Sequence, residues 1–99
     1  MVHHIVLWNL KEELDEQEKA AAAAAMKEKL EAVKKEVDGV ISLEVVINEM
    51  DSSNKEVGLI STFESEEALE AYQKHPAHVK AGSYIRSVTC GRSCLDYKA

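Results

Sequence analysis

The chain has few residues that break or crosslink a fold. Its 99 residues include one proline, four glycines and two cysteines, while 45% are hydrophobic and 30% are charged. This composition is that of a folded globular protein, and the length predicts a single domain over residues 1–99. Because so small a domain covers its apolar surface poorly, we expect association with a second subunit.

Clusters of positive charge and long apolar runs are also lacking. The net charge is -6, with no run of Lys or Arg. This balance argues against nucleic acid and anionic membrane surfaces as partners. The first residues carry no cationic segment, and their apolar run is too short to cross a bilayer, so the sequence predicts a cytoplasmic protein without membrane attachment.

The two cysteines predict neither a disulfide nor a metal site. Cys90 and Cys94 would be about 13 Å apart on one strand, which is beyond disulfide reach. No further soft ligand lies close in sequence to complete a zinc knuckle. Since a glycine-rich phosphate loop and a nucleophile elbow are missing too, we expect no cofactor and no metal.

The first half of the chain predicts a strand, a helix and a second strand. Branched and aromatic residues favour a strand from Val2 to Leu10. Asp15 followed by Glu18 is a capping-box pattern, and apolar residues then recur at helical spacing up to Gly39. Alternating apolar residues within Val40 to Met50 predict the second strand.

The second half predicts a hairpin partner, a second helix and a last strand. A polar turn precedes the strand Glu56 to Phe63, and Ser65 caps the next helix. Pro76 should break that helix, since proline removes a backbone donor. A short helical turn over Ala77 to Ala81 and a strand within Ile85 to Tyr97 complete the pattern.

The order of elements, βαββαβ, predicts an α+β ferredoxin-like fold. Right-handed crossovers give a four-stranded antiparallel sheet with both helices on one face. The first strand is apolar on both sides, with His3, Ile5 and Leu7 alternating with His4 and Val6. A bare apolar face favours a homodimer packed through the sheet, and His4 is predicted to lie on that face.

Five side chains could carry acid–base or ligand chemistry near neutral pH: His3, His4, Tyr72, His75 and His78. In the simplest structural interpretation, His75 and His78 cap the helix end or bind carbonyl groups that Pro76 leaves unpaired. A metal held by His75, His78 and His3 is a further possibility, but no carboxylate or additional histidine in register is recognisable.

Several of these residues lie in segments that resemble a known family, the stress-responsive dimeric α/β-barrel or Dabb domain. The resemblance covers nearly the whole chain. It rests on His3-His4-Ile5-Val6-Leu7, on Thr62-Phe63-Glu64-Ser65 leading into Leu69 and Tyr72, on His75-Pro76-Ala77-His78-Val79, and on Leu95-Asp96-Tyr97. The His-Pro-x-His segment after a tyrosine is the most specific of these.

The resemblance implies a homodimeric α/β barrel with a cleft between the sheet and the helices of each protomer. In the plant polyketide-cyclase branch this cleft is the active site, and its functional groups correspond to His3, Tyr72 and His78. Two further groups of that branch are replaced: a histidine on the third strand by Val57, and a tyrosine on the first helix by Ala25 or Met26.

Three functions follow as hypotheses. The first is a dimer that binds a small hydrophobic carbonyl compound near His3, Tyr72 and His78. The second is a cofactor-free cyclase, lyase or isomerase in which His78 takes a proton from the carbon next to a carbonyl, while His3 or Tyr72 stabilises the enolate oxygen. The third is a structural dimer without a ligand.

Overall fold

The computed structural model describes residues 1–99 and confirms the ferredoxin-like fold, with three helices on one face of a four-stranded antiparallel sheet. The elements are β1 (Val2–Leu10), α1 (Glu16–Lys34), β2 (Val40–Ile47), β3 (Val57–Phe63), α2 (Glu66–Lys74), α3 (Pro76–Val88) and β4 (Thr89–Lys98). The strand order is β2-β3-β1-β4. Strand β1 therefore lies between β3 and β4, and the two ends of the chain come together in the sheet.

Local sequence signals account for the starts of α1 and α2. The Asp15 carboxylate accepts from the Glu18 backbone N–H at 2.8 Å, and the Glu18 carboxylate accepts from the Asp15 N–H at 3.0 Å. This is the predicted capping box, which satisfies two otherwise unpaired donors. Ser65 caps α2 by accepting from the Ala68 N–H.

The turn between α1 and β2 requires a glycine. Helix α1 ends at Lys34, earlier than predicted, and Gly39 follows in the left-handed region with φ of 84°. A Cβ atom at this position would lie 2.7 Å from the Cβ of Ala68. Gly39 thus allows both the turn and the close approach of α2.

Helix α3 differs most from the prediction. It runs for 13 residues, so the expected short turn over Ala77 to Ala81 is wrong, while β4 begins at Thr89, inside the range predicted for the last strand. The reason is packing, because Ala81 and Ile85 are buried at helical spacing and Val88 packs against the same core. This burial outweighs the helix-weakening effect of Gly82.

Strand β1 divides the molecule into two faces. Its even-numbered residues are buried beneath the helices, and its odd-numbered residues lie on the opposite side, which we call the outer sheet face. Side chains from the helices and the inner sheet face form one core, whose most fully buried members include Val6, Met26, Leu30, Val45, Leu59, Phe63 and Tyr72. No helix is both long enough and apolar enough to cross a membrane.

Candidate functional site

The structure places His4, not His3, beneath the helices. His4 is only 2% exposed, whereas His3 lies on the outer sheet face, with Nδ1 3.1 Å from Thr62 Oγ1 and its ring stacked 4.8 Å from that of Tyr97. The expectation that His3 shares the cleft with His78 is therefore wrong, as is the assignment of His4 to the dimer face. Adjacent residues of a strand point to opposite faces, so the two histidines exchange the predicted positions.

His4 is held by a carboxylate from the last strand. It lies directly opposite Asp96 in the antiparallel β1–β4 ladder, and its Nδ1 is hydrogen-bonded to Asp96 Oδ1. An ionised carboxylate can only accept, so Nδ1 carries the proton, and in the neutral ring Nε2 keeps its lone pair. Asp96 thereby selects the tautomer of a buried histidine.

Three aromatic rings continue from His4 into the helices. The His4 ring meets Phe63 edge-on at 6.3 Å between centroids, Phe63 lies 5.0 Å from Tyr72, and Tyr72 lies 4.5 Å from His78. The structure thus brings Tyr72 and His78 together, as predicted, and connects them through Phe63 to His4.

Tyr72 has the least satisfied polar group in the cluster. The side chain is fully buried, and its hydroxyl has no hydrogen-bond partner in the protein. Burial raises the pKa of Tyr72 to about 12, so the hydroxyl keeps its proton near neutral pH. It is a buried donor directed at no group of the chain.

His78 occupies the start of α3, where Pro76 separates that helix from α2. Its Nδ1 lies 3.2 Å from the carbonyl oxygen of Gln73, which can only accept, so Nδ1 is the donor. This is the bond to an unpaired helix-end carbonyl that the structural interpretation predicted. Burial lowers the pKa of His78, and the hydrogen bond to Gln73 opposes the shift in part. The neutral ring therefore presents an unprotonated Nε2.

His75 has a structural position at the helix junction. It is the N-cap of α3, and its Nδ1 accepts from the Ala77 N–H at 3.1 Å. Because His3 lies on the far side of the sheet, His75, His78 and His3 cannot bind one metal ion.

A groove opens beside the aromatic cluster, between α2 and the β1–β4 edge of the sheet. It has a volume of about 660 Å³ and is lined by Val2, Glu66, Leu69, Glu70, Gln73, Asp96, Tyr97 and Lys98. Two of these residues, Asp96 and Gln73, are the hydrogen-bond partners of His4 and His78. A larger groove of about 750 Å³ lies at the β2–β3 turn, but no histidine lines it.

The remainder of the cleft is apolar. Val57 is buried on the inner face of β3 opposite Trp8, Met26 is fully buried, and Ala25 is half-buried. The polar groups are therefore confined to the end of the cleft next to the β1–β4 edge.

Comparison with known proteins identifies the family. The family described as the stress responsive A/B barrel domain matches residues 2–99. The chain belongs to the Dabb family. Comparison with curated proteins gave no match.

Solved structures with the same fold include dimers. A dimeric protein of unknown function from Bacteroides fragilis has a TM-score of 0.92 at 30% identity, covering 99% of this Dabb chain and 95% of that chain. A Dabb family protein from Mesorhizobium loti has a TM-score of 0.72 at 22% identity, covering 99% and 95%. A cofactor-independent oxygenase from Streptomyces nogalater has a TM-score of 0.76 at 9% identity, covering 99% and 91%. At 22% and 9% identity, the similarities to the M. loti protein and to the oxygenase show a shared fold and nothing more.

Sequence reasoning missed three members of the candidate site: the inward-facing His4, and its neighbours Asp96 and Phe63. Both Asp96 and Phe63 lie in segments that carried the family resemblance, but no role was assigned to them. Antiparallel pairing of the first and last strands was the available signal, because that pairing brings residues near both ends of the chain together.

The lowered pKa of His78 predicts a loss of stability in weak acid. An unfolded histidine has a pKa of 6.5, and burial lowers the pKa of His78 in the folded chain. Between the two values the unfolded chain binds more protons, so the stability contributed by neutral His78 is complete above pH 6.5 and is lost as the pH falls below it. In urea unfolding between about pH 7.5 and pH 5.5, His78→Gln should lose less stability than the natural chain. Equal losses in the two proteins would contradict this assignment.

Proposed function

We propose that this Dabb chain is a homodimer that binds a small hydrophobic carbonyl compound in the cleft between α2 and the sheet. The buried Tyr72 hydroxyl without a protein partner carries the proposal. An unpaired buried polar group costs about 1–3 kcal/mol, and the carbonyl oxygen of a ligand would remove that cost by accepting from the hydroxyl.

The cytoplasm remains our proposed location, because the free thiols of Cys90 and Cys94 suit a reducing compartment.

The surroundings of Tyr72 support an apolar ligand with few polar atoms. Phe63 and Leu69 are buried on the same side of the sheet as Tyr72, and the groove beside them is bordered by Val2. Small-molecule sites typically combine apolar walls with a few directed polar groups. Here the candidate polar groups, Tyr72 Oη and the unprotonated nitrogen of His78, lie behind the groove wall formed by Leu69 and Gln73, so a ligand would have to displace part of that wall to reach them.

The outer sheet face supports the homodimer. Ile60, Ile5 and Leu95 are cross-strand neighbours in one row over β3, β1 and β4, and Ile60 and Leu95 are 44% and 60% exposed. Val46 and Tyr97 add exposed apolar surface on either side of this row. A contiguous apolar surface on a sheet is typical of a protein interface, and an identical surface on a second copy is its simplest partner.

Two probes of nearly equal shape test the ligand proposal. Acetophenone offers a carbonyl oxygen, and α-methylstyrene replaces that oxygen with a methylene group. We expect acetophenone to bind about 5- to 10-fold more tightly, the usual effect of one net hydrogen bond. Calorimetry or ligand-observed NMR would measure both affinities.

The matched variant is Tyr72→Phe, which removes only the hydroxyl. It should abolish the preference for acetophenone and leave the ligand-free chain as stable or more stable, because an unpaired buried group is lost. Equal binding of the two probes to the natural chain would refute a carbonyl ligand. Binding of neither probe would favour a structural dimer without a ligand.

A catalytic role is the second candidate, favoured by the position of His78 beside Tyr72. The unprotonated nitrogen of His78 would take a proton from the carbon next to the carbonyl. The electron pair of the broken C–H bond would move to the carbonyl oxygen, and the Tyr72 hydroxyl would stabilise the resulting enolate by about 3 kcal/mol. Reprotonation of carbon by His78 then restores both groups, so no cofactor is consumed.

Exchange of the methyl protons of acetophenone in D₂O, followed by NMR, separates catalysis from binding. A catalyst should lose exchange activity by about 100-fold or more in His78→Ala, while a binding protein should show no exchange and retain most of its affinity in that variant. Exchange that persists in His78→Ala would exclude His78 as the base.

A further inference from the structure

Three different metal-ligand groups meet at the edge of the cleft. They are Nδ1 of His4, Sγ of Cys94 and a carboxylate oxygen of Asp96, all within 4.8 Å of one another. Cys94 and Asp96 are two residues apart on β4, so both side chains lie on the same face as His4. The sequence could not indicate this set, because 90 residues separate His4 from Cys94.

We propose that His4, Cys94 and Asp96 form a binding site for Zn²⁺. In a tetrahedral zinc site the sulfur and its neighbouring ligand atoms are about 3.6 Å apart, given Zn–S of about 2.3 Å and Zn–N or Zn–O of about 2.1 Å. Here Cys94 Sγ lies 3.9 Å from His4 Nδ1 and 3.6 Å from Asp96 Oδ1. The combination of thiolate, imidazole and carboxylate is one that zinc accepts, and three protein ligands leave a fourth position open.

The required movement is confined to one side chain. Asp96 Oδ1 is hydrogen-bonded to His4 Nδ1 and must move away from it for both atoms to bind one ion. The Asp96 side chain is 42% exposed and can rotate, whereas the His4 side chain is 3% exposed and is held in place by the core. The buried imidazole would thus anchor the site, and the two residues of β4 would close around the ion.

Protons and charges balance in this step. The Cys94 thiol releases its proton to solvent, and the His4 proton moves from Nδ1 to Nε2, so one proton leaves per ion bound. The thiolate and the carboxylate together neutralise the two charges of Zn²⁺. Without a metal, partial burial of the Cys94 sulfur and the nearby Asp96 carboxylate raise the pKa of Cys94, while Arg92 opposes the shift. Cys94 should therefore become a thiolate only when the cation is present.

Metal binding would also change the hydrogen-bonding role of the His4 Nε2 atom. With Nδ1 on the ion, Nε2 carries the proton and becomes a donor, whereas in the metal-free chain it is an acceptor. The zinc proposal does not depend on the carbonyl ligand, because it rests only on the three ligand atoms at the sheet edge.

Cobalt substitution provides a direct test. The 99-residue chain, treated with a chelator and reduced with a phosphine, would be titrated with Co²⁺, which gives a thiolate-to-cobalt charge-transfer band in the near ultraviolet only when sulfur is bound. We expect one ion per chain and loss of the band on addition of Zn²⁺. Cys94→Ser should abolish the band, Cys90→Ser should keep it, and Asp96→Asn should weaken cobalt binding by about 10-fold or more.

The two cysteine variants make the test decisive. Both cysteines are exposed, so both variants should fold, and circular dichroism would verify this. A natural chain without the band, or a band that survives in Cys94→Ser, would overturn the zinc site. The acetophenone titration of metal-free chain is separate, so its failure would refute the proposed ligand and leave the zinc site standing.

Discussion

Ile60→Lys is expected to convert the proposed dimer of this Dabb chain into a monomer. Ile60 is at the centre of the outer sheet face, on β3, with Glu44 on one side and Ile5 on the other. In an interface formed by two copies of this face, each copy would bury one introduced ammonium group next to the Glu44 carboxylate. Burial removes the hydration of both charges, which costs several kcal/mol even when they pair, and this corresponds to a dissociation constant raised by about 1,000-fold or more.

Light scattering after size exclusion at micromolar concentration measures this effect. The natural chain should elute with twice the 11.0 kDa chain mass, and Ile60→Lys should elute as a single chain. Because Ile60 is exposed in the isolated chain, the far-ultraviolet circular dichroism of the variant should not change.

The chain offers a matched control for this substitution. Ile47 is 41% exposed, close to the 44% of Ile60, but it lies at the end of β2 on the other face of the sheet. Ile47→Lys should therefore remain dimeric. A natural chain that is monomeric at these concentrations, or dissociation by both substitutions, would exclude the outer sheet face as the interface.

Phe63→Ala is expected to remove most of the stability of the fold. Phe63 is fully buried, and its ring lies 5.0 Å from that of Tyr72 and 6.3 Å from that of His4. Truncation of a buried phenylalanine costs about 3–5 kcal/mol, through lost burial and the cavity that remains. A single domain of 99 residues lies toward the lower end of the usual range of about 5–15 kcal/mol, so a loss of this size would leave roughly 0–2 kcal/mol.

Urea unfolding of Phe63→Ala and Phe63→Leu separates the cavity from the loss of the ring. The leucine variant keeps most of the volume and should lose about 1–1.5 kcal/mol. All variants must be compared at one protein concentration, since the proposed dimer would contribute to apparent stability. A loss below about 1 kcal/mol in Phe63→Ala would mean that the aromatic cluster is not a rigid part of the core.

Local patterns in the sequence were sufficient for most of the secondary structure. The capping residues Asp15 and Ser65 mark the starts of α1 and α2 as predicted, and the alternation of apolar residues correctly predicts β2 within Val40 to Met50. Capping and alternation depend only on residues that are close together in the sequence, so they can be recognised without knowing the tertiary structure. Helix α3 was underestimated because its continuation past Gly82 depends on the core against which Ala81 and Ile85 pack.

The sequence by itself determined the ferredoxin-like order of elements, the family resemblance and the proximity of Tyr72 to His78, since each depends on spacing along the chain. Only the tertiary structure decided that His4 faces the helices and His3 faces the outer sheet. In a strand, adjacent side chains point to opposite faces of the sheet, but this alternation does not indicate which face the helices cover. Since β1 is apolar on both sides, hydrophobicity did not decide between the two faces either. Pairing of β1 with β4 likewise placed Asp96 and Cys94 against His4, because contacts between the two ends of a chain exist only after the sheet has formed.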